Sequence, residues 1–289
     1  MAEDLEKGIV ESADGTQIYY EIFGSGAPML LFNGLLCQRA HWRHQITHFS
    51  RYFQVVTFDY RGHNASGFPS NEGHLTLEWC ARDGVALCEA LGLKGVVLLG
   101  HSMGAPIAAR FVLSRPELVK ALVLICGTAS NPFESMFYSK KADVVYRATD
   151  RLYSLAPTLV DTVFKRFTRR NWLSYFLTSQ LGFNPNLAEE RDVWTYLDGV
   201  HSNSLKTFYG LLRDYSRHPD SLWMKGIQCP TLMIAGEEDY VTPLELMETM
   251  AKIVGGARLE KIPSGSHNAH ADLPQVVNSA IDRFLKGLA

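Results

Sequence analysis

The sequence predicts an α/β fold in which a doubly wound, mostly parallel sheet carries an inserted helical cap. Short apolar runs typical of buried strands alternate with amphipathic stretches typical of helices through residues 1–130. The alternation stops at residue 131, where helical spacing takes over, and it resumes at the apolar run 231–235. We therefore predict a core built from residues 1–130 and 223–289, with residues 131–222 forming the cap.

Eight runs have the composition of strands, and the first two are joined by a turn. Asp14-Gly15 is a hairpin signal between the first run and the second. Most of the later runs are separated by stretches with helical spacing, so right-handed crossovers and parallel pairing are expected. The predicted strands are residues 8–12, 16–23, 28–32, 54–59, 95–99, 120–126, 231–235 and 258–262.

Composition limits the partners that the protein can have. The 289 residues are 46% hydrophobic and 20% charged, the balance of a globular protein with a large core. A net charge of −2 predicts no binding to nucleic acid, and no apolar run approaches the ~18 residues of a membrane span. The polar, acidic start of the chain favours a cytoplasmic protein without a secretory signal. The sequence makes no prediction of oligomeric state.

The five cysteines, at positions 37, 80, 88, 126 and 229, are odd in number and scattered. They form no C-x-x-C pair, and this argues against a metal site or a redox centre. We therefore predict reduced thiols, no metal and no cofactor.

Ser102 lies between Gly100 and Gly104, where a buried strand is predicted to turn into a helix. This G-x-S-x-G spacing suits a side chain projected from a sharp turn, because the flanking backbones nearly touch and leave no room for Cβ atoms. The start of the following helix would favour negative charge that develops near the serine. A glycine-rich turn with a capping serine would have the same spacing, but the order of strand, motif and helix favours a nucleophile.

A serine nucleophile needs a base that takes its proton. His267 lies in a loop of small residues directly after the last predicted strand. Loops at the carboxyl ends of strands are where an open α/β sheet places its site, so His267 is the predicted base. His270, three residues later, is the alternative, although it would lie closer to the final helix.

The base in turn needs an acid that orients it, and the loop 236–241 contains three acids. Asp239 has the shortest side chain and a central position, whereas the two glutamates before it are expected to face solvent. Thr242 and Glu245 have the spacing of a capping box, so the next helix is predicted to begin directly after this loop.

The chain order Ser102, Asp239, His267 resembles that of the α/β-hydrolase fold superfamily. Residues 59–66 also resemble its D-x-R-G-x-G-x-S loop, with Asn64 where glycine is usual. Together these segments extend over almost the whole predicted core. The resemblance implies the α/β-hydrolase fold and a serine hydrolase that forms an acyl-enzyme on Ser102.

The resemblance also implies an oxyanion hole formed by the backbone N–H groups of Leu35 and Met103. The pair Asn33-Gly34 stands where the family usually has His-Gly, and is similar to the loop of enol-lactonases and intracellular polyester depolymerases of this fold. The implied substrate is a small-molecule carboxylic ester, lactone or thioester. Dehalogenases and epoxide hydrolases resemble this fold as well, but they have aspartate where this chain has serine.

The insertion is rich in aromatic residues, and this composition predicts an apolar surface that covers the site. A small or medium hydrophobic ester is therefore expected. Most of these residues are expected to pack the cap helices together: Phe133, Phe137, Tyr138, Tyr146, Trp172, Tyr175, Phe176, Trp194, Tyr196, Phe208 and Tyr209. Two alternatives use the same three residues. One is a carbon–carbon bond hydrolase, and the other is a ligand receptor that retains them for slow or single turnover.

Overall fold

One sheet of eight strands organises the protein, which this computed structural model describes for residues 5–218 and 221–288. In chain order the strands are β1 (Glu6–Glu11), β2 (Gln17–Phe23), β3 (Ala27–Phe32), β4 (Phe53–Phe58), β5 (Val96–His101), β6 (Val119–Ile125), β7 (Thr231–Gly236) and β8 (Arg258–Ile262). Their order across the sheet is β1-β2-β4-β3-β5-β6-β7-β8. Strand β2 is antiparallel to both of its neighbours, and the other pairs are parallel. The predicted mostly parallel sheet is confirmed.

Helices cover both faces of the sheet, as a doubly wound fold requires. Those that the structure describes are α1 (Arg43–Phe49), α2 (Leu77–Ala90), α3 (Gly104–Ser114), α4 (Lys141–Leu155), α5 (Pro157–Thr168), α6 (Trp172–Gly182), α7 (Glu190–Ser202), α8 (Leu205–Tyr215), α9 (Leu244–Ile253), α10 (Ala269–Asp272) and α11 (Pro274–Lys286). Helices α2, α3 and α9 pack on one face, and α1 and α11 pack on the other.

Strand β5 lies near the middle of the sheet and every one of its residues is buried. Val96 and Leu98 pack with the helices of one face, whereas Val97 and Leu99 pack with those of the other. This alternation is the period of two that a strand imposes on its side chains. Burial on both faces holds the end of β5, and the turn that follows it, in a fixed position.

Helices α4 to α8 follow β6 and precede β7, in the segment predicted to form the cap. Most, but not all, of its aromatic residues are expected to pack these helices together, and four of the eleven named residues are exposed. Phe137, Tyr138, Trp172 and Phe176 have exposed fractions of 41%, 60%, 77% and 51%. Helix α5 contributes no fully buried residue at all.

Two sequence predictions fall partly on residues that the structure does not describe. They are the acidic start of the chain, of which residues 1–4 are not described, and the predicted cap 131–222, of which residues 219–220 are not described. Among the helices described, none combines the length and the hydropathy that crossing a lipid bilayer would need.

Candidate active site

Ser102 lies in the turn between β5 and α3, with a φ of +54°. This left-handed conformation is uncommon for a residue with a side chain, and it aims the hydroxyl away from the sheet. A Cβ added to Gly100 would lie 2.5 Å from the carbonyl oxygen of Gly104. The turn therefore closes only with glycine at position 100, which is the physical reason for the spacing seen in the sequence.

The structure brings Ser102, His267 and Asp239 together from the carboxyl ends of three strands. The Ser102 Oγ lies 2.9 Å from Nε2 of His267, and Nδ1 of the same ring lies 3.0 Å from Oδ2 of Asp239. Both His267 and Asp239 are buried. The carboxylate accepts a hydrogen bond from Nδ1–H, which leaves the lone pair of Nε2 facing the serine hydroxyl.

The carboxylate of Asp239 is held by the two residues that follow in the loop. Its Oδ1 accepts hydrogen bonds from the backbone N–H groups of Val241 and Thr242, each at 2.8 Å. Its Oδ2 accepts a third bond, at 2.7 Å, from the Thr242 hydroxyl. These donors fix the plane of the carboxylate, so that Oδ2 stays directed at His267.

Thr242 is not the N-cap residue that the sequence predicted. Helix α9 begins at Leu244 with Pro243 as its N-cap, so the predicted capping box is wrong. The Thr242 hydroxyl bonds to Asp239 instead and lies 3.2 Å from His267 Nδ1. The sequence signal for this role is the spacing of three between an aspartate and a threonine in a loop, which is common in side-chain-capped turns.

Replacing Thr242 with valine should lower kcat about 10- to 100-fold while KM changes little, because a hydrogen bond to a charged group is worth about 1.5–3 kcal/mol. The Thr242→Ser variant retains the hydroxyl and should recover most of the rate. Steady-state kinetics of both variants with one ester would test this. Equal rates for Thr242→Val and the unmodified protein would show that the hydroxyl does not position Asp239.

His270, the alternative base, makes no hydrogen bond to the serine hydroxyl, which lies against His267 instead. It is fully buried behind the site, and its ring packs against those of His101 and Trp42, with centroids 4.2 and 4.9 Å away. Neither ring nitrogen has a hydrogen-bond partner among the described residues. Burial lowers the pKa of His270, so the ring is neutral in the folded protein.

Replacing His270 with leucine should raise the free energy of unfolding by about 1–3 kcal/mol near neutral pH, because an unpaired buried polar group is removed. The pH dependence should change too. Below a pH of about 6.5 the unfolded chain binds a proton on His270 that the folded chain does not bind, so stability falls by up to about 1.4 kcal/mol per pH unit. Urea unfolding at several pH values should show that the free energy of unfolding falls less steeply with decreasing pH in His270→Leu. Identical slopes in the two proteins would show that His270 does not cause the loss of stability in acid.

The two predicted oxyanion donors lie in different segments, Leu35 in the loop after β3 and Met103 in the turn between β5 and α3. Leu35 and Met103 line the same cavity as Ser102, and within the described chain neither of their N–H groups makes a backbone hydrogen bond. Asn33 anchors the loop after β3 by donating from Nδ2 to the carbonyl oxygen of Phe58 at 3.1 Å. Asn64, the residue that replaces a usual glycine, has a φ of +41°, which asparagine tolerates better than most residues.

Ser102 and His267 open onto a cavity of about 400 Å³. Its apolar walls come largely from the segment between β6 and β7, including Phe133, Phe137, Leu177, Leu181, Tyr196 and Phe208. Among its described lining residues there is no lysine, arginine, aspartate or glutamate. The cavity thus combines one polar corner, at the serine, with walls suited to an uncharged ligand.

Comparison with known proteins gives the chain a family. Residues 27–274 match the sequence family described as alpha/beta hydrolase fold. A hydrolase of (E)-2-((N-methylformamido)methylene)succinate from Acinetobacter baylyi is 25% identical over 98% of both chains. A non-heme haloperoxidase from Rhodococcus erythropolis is 26% identical over 96% of this chain and 98% of its own.

A solved structure of a thermophilic esterase from Thermogutta terrifontis superposes with a TM-score of 0.75. It is 24% identical in sequence, over 98% of this chain and 99% of its own. At that level of identity the similarity shows the fold, and the differing activities of the relatives leave the substrate to be argued from the site.

Proposed function

Because the chain belongs to the alpha/beta hydrolase fold family, we propose that it is a serine hydrolase that cleaves uncharged, hydrophobic carboxylic esters through an acyl-enzyme on Ser102. The observation that carries this proposal is the unbroken series of hydrogen bonds from Ser102 through His267 to Asp239. It ends at the polar corner of an apolar cavity.

In the proposed reaction, Nε2 of His267 takes the proton of the Ser102 hydroxyl as Oγ attacks the ester carbonyl. The N–H groups of Leu35 and Met103 stabilise the oxyanion that forms, a contribution of roughly 2.7–4 kcal/mol for each donor. Asp239 stabilises the protonated imidazole. His267 then gives its proton to the departing alcohol, and a water molecule repeats the sequence on the acyl-enzyme to release the acid.

The charge of the cavity supports an uncharged substrate. A carboxylate buried without a cation loses its hydration and gains no partner, which costs several kcal/mol. The described lining of this cavity offers no cation. We therefore expect a substrate unlike the dicarboxylate named for the Acinetobacter relative. A volume of about 400 Å³ suits a small or medium acyl group.

We further propose that residues 131–222 act as a cap that encloses the acyl chain. Leu177 and Leu181 of α6 and Phe208 of α8 line the cavity, and all of them come from this segment. The sheet would then supply the reacting groups, and the cap would supply the apolar contacts that select the chain length.

The test is turnover of p-nitrophenyl esters from acetyl to dodecanoyl, with a charged ester as a matched control. The pentanoyl ester and the glutaryl half-ester have acyl chains of the same length but differ by one carboxylate. We expect kcat/KM to be about 100-fold or more higher for the uncharged ester. Burying the carboxylate costs several kcal/mol, and each 1.4 kcal/mol corresponds to a tenfold change in kcat/KM.

Three results would contradict the proposal. Equal rates for the two matched esters would remove the argument from cavity charge. Ligand-induced stabilisation without repeated turnover would favour the receptor, and faster cleavage of a vinylogous diketone than of any ester would favour carbon–carbon bond hydrolysis.

A further inference from the structure

Cys37, His41 and His101 lie together directly behind the Ser102 site, and all three are buried. One ring nitrogen of each histidine and the Sγ of Cys37 lie within 4.8 Å of one another. The proposed hydrolysis assigns no step to any of these atoms. Three soft or borderline donor atoms in one buried space are the donor set that a zinc ion prefers.

The hydrogen bond of His101 determines which of its nitrogens is free. Its Nε2 lies 2.9 Å from the backbone carbonyl oxygen of His267. A carbonyl oxygen can only accept, so Nε2 must have the proton and Nδ1 must have the lone pair. Burial lowers the pKa of His101 and keeps the ring neutral. Nδ1 is buried and has no hydrogen-bond partner among the described residues.

The same argument applies to His41. Its Nε2 lies 2.8 Å from Oδ1 of Asn268, whose Nδ2 donates to the carbonyl oxygen of Gly182 at 2.7 Å. That second bond fixes the amide orientation, so the oxygen faces His41 and Nε2 must donate to it. The lone pair of His41 is therefore on Nδ1, which is also buried and unpartnered within the described chain.

We propose that Cys37 Sγ and the Nδ1 atoms of His41 and His101 bind one Zn²⁺ ion. A histidine that gives its second N–H to a carbonyl oxygen has the tautomer and orientation of a metal ligand, and both histidines are held in this way. On binding, the Cys37 thiol loses its proton to solvent and a bond from sulfur to zinc forms. Water from the cavity would complete a tetrahedral site.

The site is accessible from the cavity, because Cys37 and His101 both line it. Gly34 leaves the space between them open. A Cβ added to this glycine would lie 3.1 Å from Cys37 Sγ and 3.2 Å from His101 Nδ1. The sulfur and the nitrogen therefore face a common point next to the loop that leads to Leu35. Binding would draw these ligand atoms, which now lie within 4.8 Å of one another, in to Zn–S and Zn–N distances of about 2.3 and 2.0 Å.

A second group of possible ligands, His44, Glu189 and Asp192, is a weaker candidate and serves as a control. The carboxylate of Asp192 already accepts two hydrogen bonds from Arg43, at 2.6 and 2.9 Å. The arginine therefore supplies the positive charge that a metal ion would bring there.

The experiment titrates the metal-free full chain with Zn²⁺ and, in parallel, with Co²⁺. We expect one Zn²⁺ per chain at micromolar concentration, a rise in the thermal unfolding midpoint, and a sulfur-to-cobalt charge-transfer band that reports the thiolate directly. Cys37→Ala and His41→Gln should weaken binding by about 100-fold or more, since loss of a partner outside the ligand set already costs 10- to 100-fold. His44→Gln and Cys229→Ala are the matched controls and should bind like the unmodified chain.

The cobalt band is measured on the unmodified protein, so the proposal can fail even if a variant does not fold. Absence of stoichiometric Zn²⁺ binding, or a cobalt complex without the sulfur band, would overturn it. Loss of binding in His44→Gln with retention in Cys37→Ala would assign the metal to the other group and would also overturn it. None of these outcomes depends on ester hydrolysis.

Discussion

Replacing Ser102 with alanine should lower kcat for p-nitrophenyl esters by roughly 10⁴- to 10⁶-fold, with little effect on stability. Without Oγ no acyl-enzyme can form, and the remaining rate comes only from the oxyanion donors and substrate positioning. Alanine also removes no packing contact from the core. Rates at saturating ester, compared with those of Ser154→Ala on an exposed face of α4, would measure the effect.

Labelling by a fluorophosphonate gives an independent measure of the same residue. The unmodified chain should bind one probe per molecule, and peptide mapping should place it on Ser102. Stoichiometric labelling that persists in Ser102→Ala would assign the nucleophile to another hydroxyl.

The Asp239→Asn variant should lower kcat by about 10⁴-fold, because the amide reverses the tautomer of His267. The N–H groups of Val241 and Thr242 both point at Oδ1, so the amide oxygen must occupy that position. The amide nitrogen then replaces Oδ2, 3.0 Å from His267 Nδ1, where only a donor can remain. The ring proton moves to Nε2, and the lone pair that faced Ser102 is lost.

Glu237→Gln is the matched control, since that side chain is exposed in the same loop, whereas the side-chain bonds of the imidazole go to Asp239, Thr242 and Ser102. KM should change little in either variant. If Asp239→Asn retained more than about a tenth of the rate, the carboxylate would not be the group that orients His267.

The strands, and the positions of the three proposed catalytic residues Ser102, Asp239 and His267, could be predicted because short-range rules determine them. Every predicted strand is present, with most ends displaced by a residue or two. The inner strands β5 and β7 are short apolar runs buried on both faces, whereas the edge strands β1 and β8 are largely exposed or half-buried. Ser102 was singled out because Gly100 and Gly104 flank it, and the sharp turn after the strand has no room for larger residues at those positions. Asp239 and His267 were identified by their place after β7 and β8, because the carboxyl ends of parallel strands share one edge.

Other features depend on contacts that spacing does not encode. Thr242 was assigned to a helix start, because a capping threonine and a threonine that bonds an aspartate have similar local sequences. The grouping of Cys37 and His41 with His101 joins two distant segments through the pairing of β3 with β5, and so it could not be inferred from cysteine spacing. Which aromatic residues of α6 are exposed could not be predicted for a different reason: burial depends on what packs above a helix, not on the helix itself.

The origin of the cavity walls has an evolutionary consequence. The proposed reacting groups follow the carboxyl ends of β5, β7 and β8, whereas Leu177, Leu181 and Phe208 come from the segment between β6 and β7. Substitutions in that segment can alter which molecules fit without disturbing the proton transfers. With the proposed function, we therefore expect substrate range to change more readily in evolution than the reaction itself.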